Sequence, residues 1–583
     1  EETPKGVKGG FAIGGYGTSK GDQKFLTVSD DSVRIYINDT GKSSKGGFAI
    51  GGFGTTKGVG ASFLNVETSA TGIIDPAVNR ILWYPLKNAF LTGKVLIESP
   101  TDVGENSFAT GFESKAKGMY SQAMGYKAFA NGDYSTAIGK NALANNNSFA
   151  FGDSAIAVGI GSIALGSIAR DPITDKPYGV STLASGNYSL ALGFADSSIA
   201  YGAVSIGMLN SARGQNSMAM GYKSVSKKSN SIAIGLRAIS DNGATAIGTD
   251  AKATGNNAVA LGYNSQAQGN TSFAVGWLTV ASNISATAIG NNCNATGQYS
   301  VAMGMANTAS GDKSMALGNW STASGNSATT LGWSTTAVGN ASLAFGSSTQ
   351  ASSTNSTAWG SSTLSSGNNS TAWGSSTTAS SLNSTSFGYQ TNATGQHSTA
   401  IGYSTTSSAF ASLVLGRYNV VAGSLTAWTS TDPVFVIGNG TLSVPHNAMT
   451  VLKNGEVYFP DVYADAVGAT NQNLYIDNTG KIGFLSSSRR YKTDIEKIEN
   501  IDWIYELQPV NFIYRNDNNR IKQYGLIAED VEKVNPLLVS YNESGEVETV
   551  HYNALITPLL KAIQEQQEQI DRLEKLVEEL MNK

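Results

Sequence analysis

From Gly276 to Gly304 the chain reads GWLTVASNISATAIGNNCNATGQYSVAMG, and the glycine that ends each Ser/Ala-x-Ala-x-Gly motif returns after fourteen residues. The interval then holds without exception through Gly318, Gly332, Gly346, Gly360, Gly374, Gly388, Gly402 and Gly416. The same motif appears earlier as SFATG ending at Gly111, SQAMG at Gly125 and STAIG at Gly139. After a stretch of looser register it returns as SMAMG at Gly221 and SIAIG at Gly235. A weaker set of glycines lies seven residues before the main set, at Gly297, Gly311, Gly325, Gly339, Gly367 and Gly395. Self-similarity at a fixed period decides the architecture before any local reading does.

Five residues alternating small and bulky make a short strand, because successive side chains point to opposite faces. Glycine followed by Asn or Asp is turn chemistry, since glycine reaches positive φ without a Cβ clash. Each unit therefore reads as one coil of two short strands and two turns, with successive coils stacked as parallel strands. No proline occurs between Pro177 and Pro433, in keeping with an uninterrupted hydrogen-bond ladder. About 22 coils at ~4.8 Å spacing make a rod roughly 100 Å long. The fold class expected is mainly β: an elongated parallel β-roll or β-solenoid fibre, followed by a small α+β domain ending in a coiled coil. Ser, Ala and Gly recur on one face, and Ile, Met, Leu, Val or Trp on the other. A ribbon this slender calls for partners, so a homo-oligomer is expected, with the small face letting neighbouring chains approach. Rods of parallel chains are commonly trimers. Which face points to the common axis is left open.

Between Ser107 and Gly416 these motifs resemble the head repeats of trimeric autotransporter adhesins (YadA-like), left-handed parallel β-rolls wound as trimers. The resemblance implies a homotrimer. No membrane-anchoring β-barrel sequence follows the rod, so a self-inserting autotransporter is not expected.

Composition narrows the rest. The chain has 583 residues, 66 of them Gly, and only 14% are charged, so the core must come from small residues and close backbone approach. A net charge of −4 with no basic stripe argues against nucleic acid. One cysteine, Cys293, cannot form an intrachain disulfide. His397, His446 and His551 are too dispersed to suggest a metal site, and no cofactor is expected. No run of ~18 apolar residues is present, so no membrane-spanning helix is expected. The opening EETPKGVKGG, without Met or a hydrophobic leader, reads as a mature exported product.

Four regions make up the chain. Residues 1–105 carry KGGFAIGGYGTSKG from Lys8 and KGGFAIGGFGTTKG from Lys45, 37 apart, and read as turn-rich β structure at the attachment or capping end. Neither run has the Gly-Lys-Ser/Thr ending of a phosphate loop. Residues 106–416 hold the fourteen-residue repeats. Within them, Gly166 to Gly193 spans 27 residues and includes RDPITDKPYG, where Pro172 and Pro177 mark a surface loop thrown out of the stack. Trp359 and Trp373 occupy equivalent positions and should stack in a packed ladder; Trp277 and Trp333, each following a motif glycine, are better candidates for exposure. Residues 417–485 read as a β stem of hairpins turning at Asn-Gly and Thr-Gly.

Residues 486–583 change character, becoming charged and helix-forming. In the final stretch, 554–583, heptad a positions hold Ile556, Ile563, Ile570 and Val577, and d positions hold Leu559, Gln566, Leu573 and Leu580. That is a parallel coiled coil, although Ile at a with Leu at d leans toward two strands. SSSRRYKTDI, YGLIAEDVEKVNPLLV and VHYNALITPLLKAI resemble the C-terminal intramolecular chaperone of phage endosialidases and tail spikes, a self-cleaving domain. The resemblance implies a Ser–Lys dyad, with Ser487 as nucleophile, Lys492 as base, Arg490 at the family's basic position, and scission after Ser487. A lysine serves as base where burial lowers its pKa. The family's usual Asp after the nucleophile is here Ser488, so two readings stand: an active protease, and a slow or silent one that stays attached. Autoproteolysis is the most enzymatic activity expected.

The expected function is an extracellular or cell-surface trimeric fibre, an adhesin for an unidentified surface receptor or glycan, with an anchoring protein as candidate partner at its N-terminal end. The C-terminal domain would trimerise first and align the chains. The alternative is a phage tail fibre or spike that recognises a host receptor, located in the virion tail. A glycan-degrading spike needs paired carboxylates in a groove, and acidic residues are sparse from Ser272 to Gly416.

Overall fold

The computed structural model describes the chain from Asn79 onward, apart from residues 85, 86, 172, 464–470, 472, 478 and 543. Before Asn79 it describes two antiparallel strand pairs, Leu26–Ser29 with Ser32–Ile35 and Gly47–Gly51 with Ser62–Glu67. The rest of the glycine-rich runs at Lys8 and Lys45 lies outside the described residues. Two units follow one another, one ending at Asp465 and one starting at Ala466.

In the first unit each coil contributes one long strand and one strand of two residues, and each kind stacks in its own parallel ladder. Register follows the sequence period: Gly276 lies beside Gly290, and Gly290 beside Gly304. Turns bond between coils as well as strands. Thr287 N–H donates to Ser300 O (2.8 Å), Asn292 N–H to Trp277 O (2.7 Å) and Tyr299 N–H to Ile284 O (2.9 Å). Backbone polar groups are therefore satisfied by neighbours one coil away, as buried peptide groups require.

The two ladders face each other across a narrow interior filled mainly by methyl and hydroxymethyl groups. Ala288 and Ala295 of one coil, and Ala302 and Ala309 of the next, are fully buried, as are Ser300 and Ser314 between them. The small face is thus each chain's own interior and is not free to receive a neighbouring chain, which corrects the sequence expectation. The bulky face is the one left outside.

Glycines do two different jobs. Gly304 has φ +118, and a Cβ there would sit 2.0 Å from Gly318 O. Gly297 has no positive φ; it is small because a Cβ would meet Gly311 O at 2.0 Å. Positive φ in the second turn falls instead on ordinary residues such as Tyr299 (φ 56) and Lys313 (φ 58). Stacking pressure from both neighbouring coils holds them there, against a cost of about 1–2 kcal/mol each.

Across the 27-residue step, Ile163–Ser167 pairs with Leu190–Phe194 in register, Gly166 beside Gly193. The inserted residues form an antiparallel hairpin, Ala169–Arg170 with Pro177–Tyr178, and Ile173 near its tip is 92% exposed. Arg170 ties the root down: its guanidinium pairs with Asp153 and donates to Asp175 O (2.8 Å). That pairing holds the Asp153 carboxyl below its usual range.

Antiparallel strands cover both ends of the long-strand ladder, so that its parallel edge is not left open to template aggregation. At the start, Arg80–Tyr84 pairs antiparallel with Ala89–Lys94, which enters the parallel ladder beside Phe108–Phe112. Leu82, Tyr84 and Leu91 there are the large buried side chains that the repeats lack. At the finish, Pro433–Asn439 continues the parallel ladder, and Asn447–Leu452 and Val457–Tyr458 turn back on it through Asn454–Gly455. Lys453 Nζ is buried 4.9 Å from the Trp428 ring and 5.8 Å from Phe410. Burial lowers its pKa, although Asp432 at 3.9 Å opposes the shift.

The second unit is a small α+β assembly. Two hairpins, Val510–Phe512 with Gln523–Gly525 and Val539–Tyr541 with Val547–Val550, accompany helix α1, Ala528–Val534, and helix α2, Tyr552–Met581. Its core gathers Val531, Leu538, Val539, Val550 and Leu555. Pro558 sits inside α2 without an N–H for Ala554 O, and Thr557 Oγ1 donates to that carbonyl instead (3.4 Å). One face of α2 packs Leu555, Pro558 and Ala562, while the heptad row from Ile556 and Leu559 to Leu580 is exposed.

Candidate self-cleavage junction and the outer face of the solenoid

The junction is a short extended run that ends in one 3₁₀ turn, Arg489–Tyr491. Ser488 caps the turn: its Oγ accepts from Arg490 N–H (3.4 Å) and Arg490 Nε (3.3 Å), and its N–H donates to Ser486 Oγ (3.3 Å). Arg490 is thereby held beside Ser488, with its guanidinium 5.7 Å from the Tyr491 ring centroid. Ser487 is exposed and lines a groove of about 270 Å³ with Asn473, Tyr475, Phe484, Leu485 and Ser486. Lys492 ends the turn, its N–H donating to Arg489 O (3.2 Å), and its side chain is exposed. Among the described residues no hydrogen bond joins Ser487 to Lys492. One chain alone thus leaves both side chains open to solvent. The same unit also contains a serine–histidine contact that sequence reasoning missed, Ser540 Oγ to His551 Nε2 at 2.6 Å.

The second feature is the outer face of the rod. From Met124 to Leu415 every long strand carries a large apolar residue at its third position, just before the motif glycine. Neighbours are in register, Ile289 beside Met303 and Trp359 beside Trp373. The two tryptophans stack with centroids 4.9 Å apart and planes 8° from parallel, as their spacing foretold. They remain 50% and 47% exposed, covered to about the same extent as Trp277 at 48% and Trp333 at 55%. A second aromatic row follows the glycine, with Tyr389 and Tyr403 stacked at 5.1 Å. Rings stacked face to face spend their faces on each other and turn edges outward, a poor platform for stacking on a sugar. In the second turn a hydrogen-bonded ladder runs from Asn355 through Asn369 and Asn383 to His397 Nδ1.

Two family models match the chain. The YadA head domain repeat matches in successive two-copy windows between residues 116 and 409, with a gap from 168 to 211 around the inserted hairpin. The chaperone of endosialidase matches residues 487–540. No curated protein matches the chain. The chain thus carries parts of two families in series: YadA head domain repeats along its solenoid and, starting at the candidate nucleophile Ser487, a chaperone-of-endosialidase domain.

Proposed function

We propose that the protein is an extracellular homotrimeric fibre, an adhesin that binds surfaces or receptors along its rod, and that its last domain starts trimerisation and folding. The observation that carries this reading is the apolar row repeated on each coil from Met124 to Leu415 and left partly exposed in a single chain. Covering one such side chain contributes about 1 kcal/mol. Over the rod that amounts to roughly 20 kcal/mol per chain, more than the ~4–15 kcal/mol cost of association. The exposed heptad row of α2 offers the same kind of surface at the opposite end of the sequence. Three chains in one particle, each 60.7 kDa before any scission, are the expected result of light scattering on the purified protein; a stable monomer would refute the reading.

Self-cleavage after Ser487 belongs to the same proposal. Cover from neighbouring chains would strip water from Lys492 and lower its pKa, so scission would follow assembly. In trimers that shed residues 488–583, Ser487→Ala is expected to abolish the shedding in intact-mass spectra. Equal shedding by the variant would remove Ser487 from the assignment.

A further inference from the structure

The position three residues after each motif glycine points into the interior, and eight of its polar occupants share one task. Ser114, Thr182, Asn210, Ser224, Ser265, Cys293, Asn307 and Ser321 each donate from the side chain to the carbonyl of the glycine eleven residues on. Several threonines further along the row, Thr349 among them, leave their hydroxyls unpaired. Asp196 stands in this row, fully buried.

Its two oxygens copy the two ends of an asparagine. In Asn307, Oδ1 accepts from Ser321 N–H (2.8 Å) and Nδ2 donates to Gly318 O (2.6 Å). In Asn210, Oδ1 accepts from Ser224 N–H (3.0 Å) and Nδ2 donates to Gly221 O (2.8 Å). In Asp196, Oδ1 accepts from Asn210 N–H (2.8 Å) and Nδ2 (3.0 Å). The remaining oxygen, Oδ2, therefore takes the amide nitrogen's place. A Cβ on Gly193 would lie 2.6 Å from it, as one on Gly207 would lie 2.9 Å from Asn210 Nδ2. Oδ2 has no hydrogen-bond partner as an acceptor. The place it fills faces a carbonyl, so an ionised carboxylate would set two acceptors against each other in an interior without water.

We propose that Asp196 is an un-ionised carboxylic acid whose Oδ2–H donates to Gly207 O, making its coil a proton-dependent joint beneath the inserted hairpin. The surroundings agree. Thr182 in the coil before, Gly193 in its own coil, and Gly207 and Asn210 in the next are all uncharged. Arg170 and Asp153 at the hairpin root pair with each other, and among the described residues Asp196 makes no ion pair. Burial pushes its pKa up to about 6 against the opposing bonds from Asn210 and from the Gly207 backbone. The coil matters to the hairpin because Asp196 O holds Leu183 N–H (2.8 Å), in the first strand after the insertion.

A group with a raised folded-state pKa stabilises most below its unfolded value, and that contribution is lost as pH climbs through the folded one. Local opening of residues 183–210, followed by hydrogen exchange of the full-length protein, should rise roughly a hundredfold from about pH 4 to pH 7 and then level off. Asp196→Asn supplies a permanent donor and should flatten that rise, while peptides far along the rod stay unchanged. The infrared difference spectrum of wild type minus Asp196→Asn at pH 5 should contain the C=O stretch of one un-ionised carboxyl. An unchanged pH profile in the variant, or a difference spectrum without that band, overturns the proposal. If Asp196→Asn misfolds, Asp196→Ser, the residue type found at 224 and 265, is read by the same two outcomes.

Discussion

Gly304→Ala is expected to split the solenoid at one coil, at a cost of ~4 kcal/mol or more. Two terms add. At φ +118 an L-residue sits in a region almost reserved for glycine, worth about 1–3 kcal/mol of backbone strain. The new methyl would also lie 2.0 Å from Gly318 O, and that carbonyl belongs to the ladder and cannot step aside without breaking bonds above and below. The reverse change two residues away is a matched control. Ala306 has φ 54, so Ala306→Gly relieves a left-handed alanine and should be neutral or stabilising by up to ~1 kcal/mol. Hydrogen exchange over residues 290–318 reads both. Equal protection in Gly304→Ala and wild type would mean that close approach of the coils does not hold the stack together.

The second large effect is on folding rather than stability. A chain truncated after Ser487 is expected to be recovered mainly as insoluble protein, while full-length protein is soluble. Every pairing in the rod is local to adjacent coils, but a partly formed stack exposes a parallel strand edge and the apolar outer row together. Chains that meet at random register through that row would aggregate, whereas chains joined first through the last domain begin in register. Soluble trimers from the truncated chain would remove the chaperone role while leaving the fibre reading intact.

Much of this architecture could be read from the sequence because the spacing of the motif glycines is also the register of the ladder: Gly276, Gly290 and Gly304 are neighbours in both. The alternation of small and bulky residues was equally plain, but it is symmetric under exchange of inside and outside. Only the width of the coil, which admits Ala288 and Ala295 and little more, decides the matter. Local rules failed where stacking overrides them. Tyr299 and Lys313 take the left-handed conformation that turn chemistry would assign to glycine, while Gly297 and Gly311 serve close approach instead. The junction residues Ser487, Arg490 and Lys492 were singled out only through a family resemblance, because a serine and a lysine five residues apart carry no signature of their own. Asp196 could have been found by aligning coils at the third residue after each glycine, where it is an acid in a row of Ser, Thr, Asn and Ala.

The hairpin between Gly166 and Gly193 shows that adjacent rungs find each other with 27 residues strung between them as well as with fourteen. New segments can therefore be spliced in at turns without re-phasing anything downstream. Such a fibre can change what it displays to its surroundings one rung at a time, while the scaffold beneath keeps its pitch.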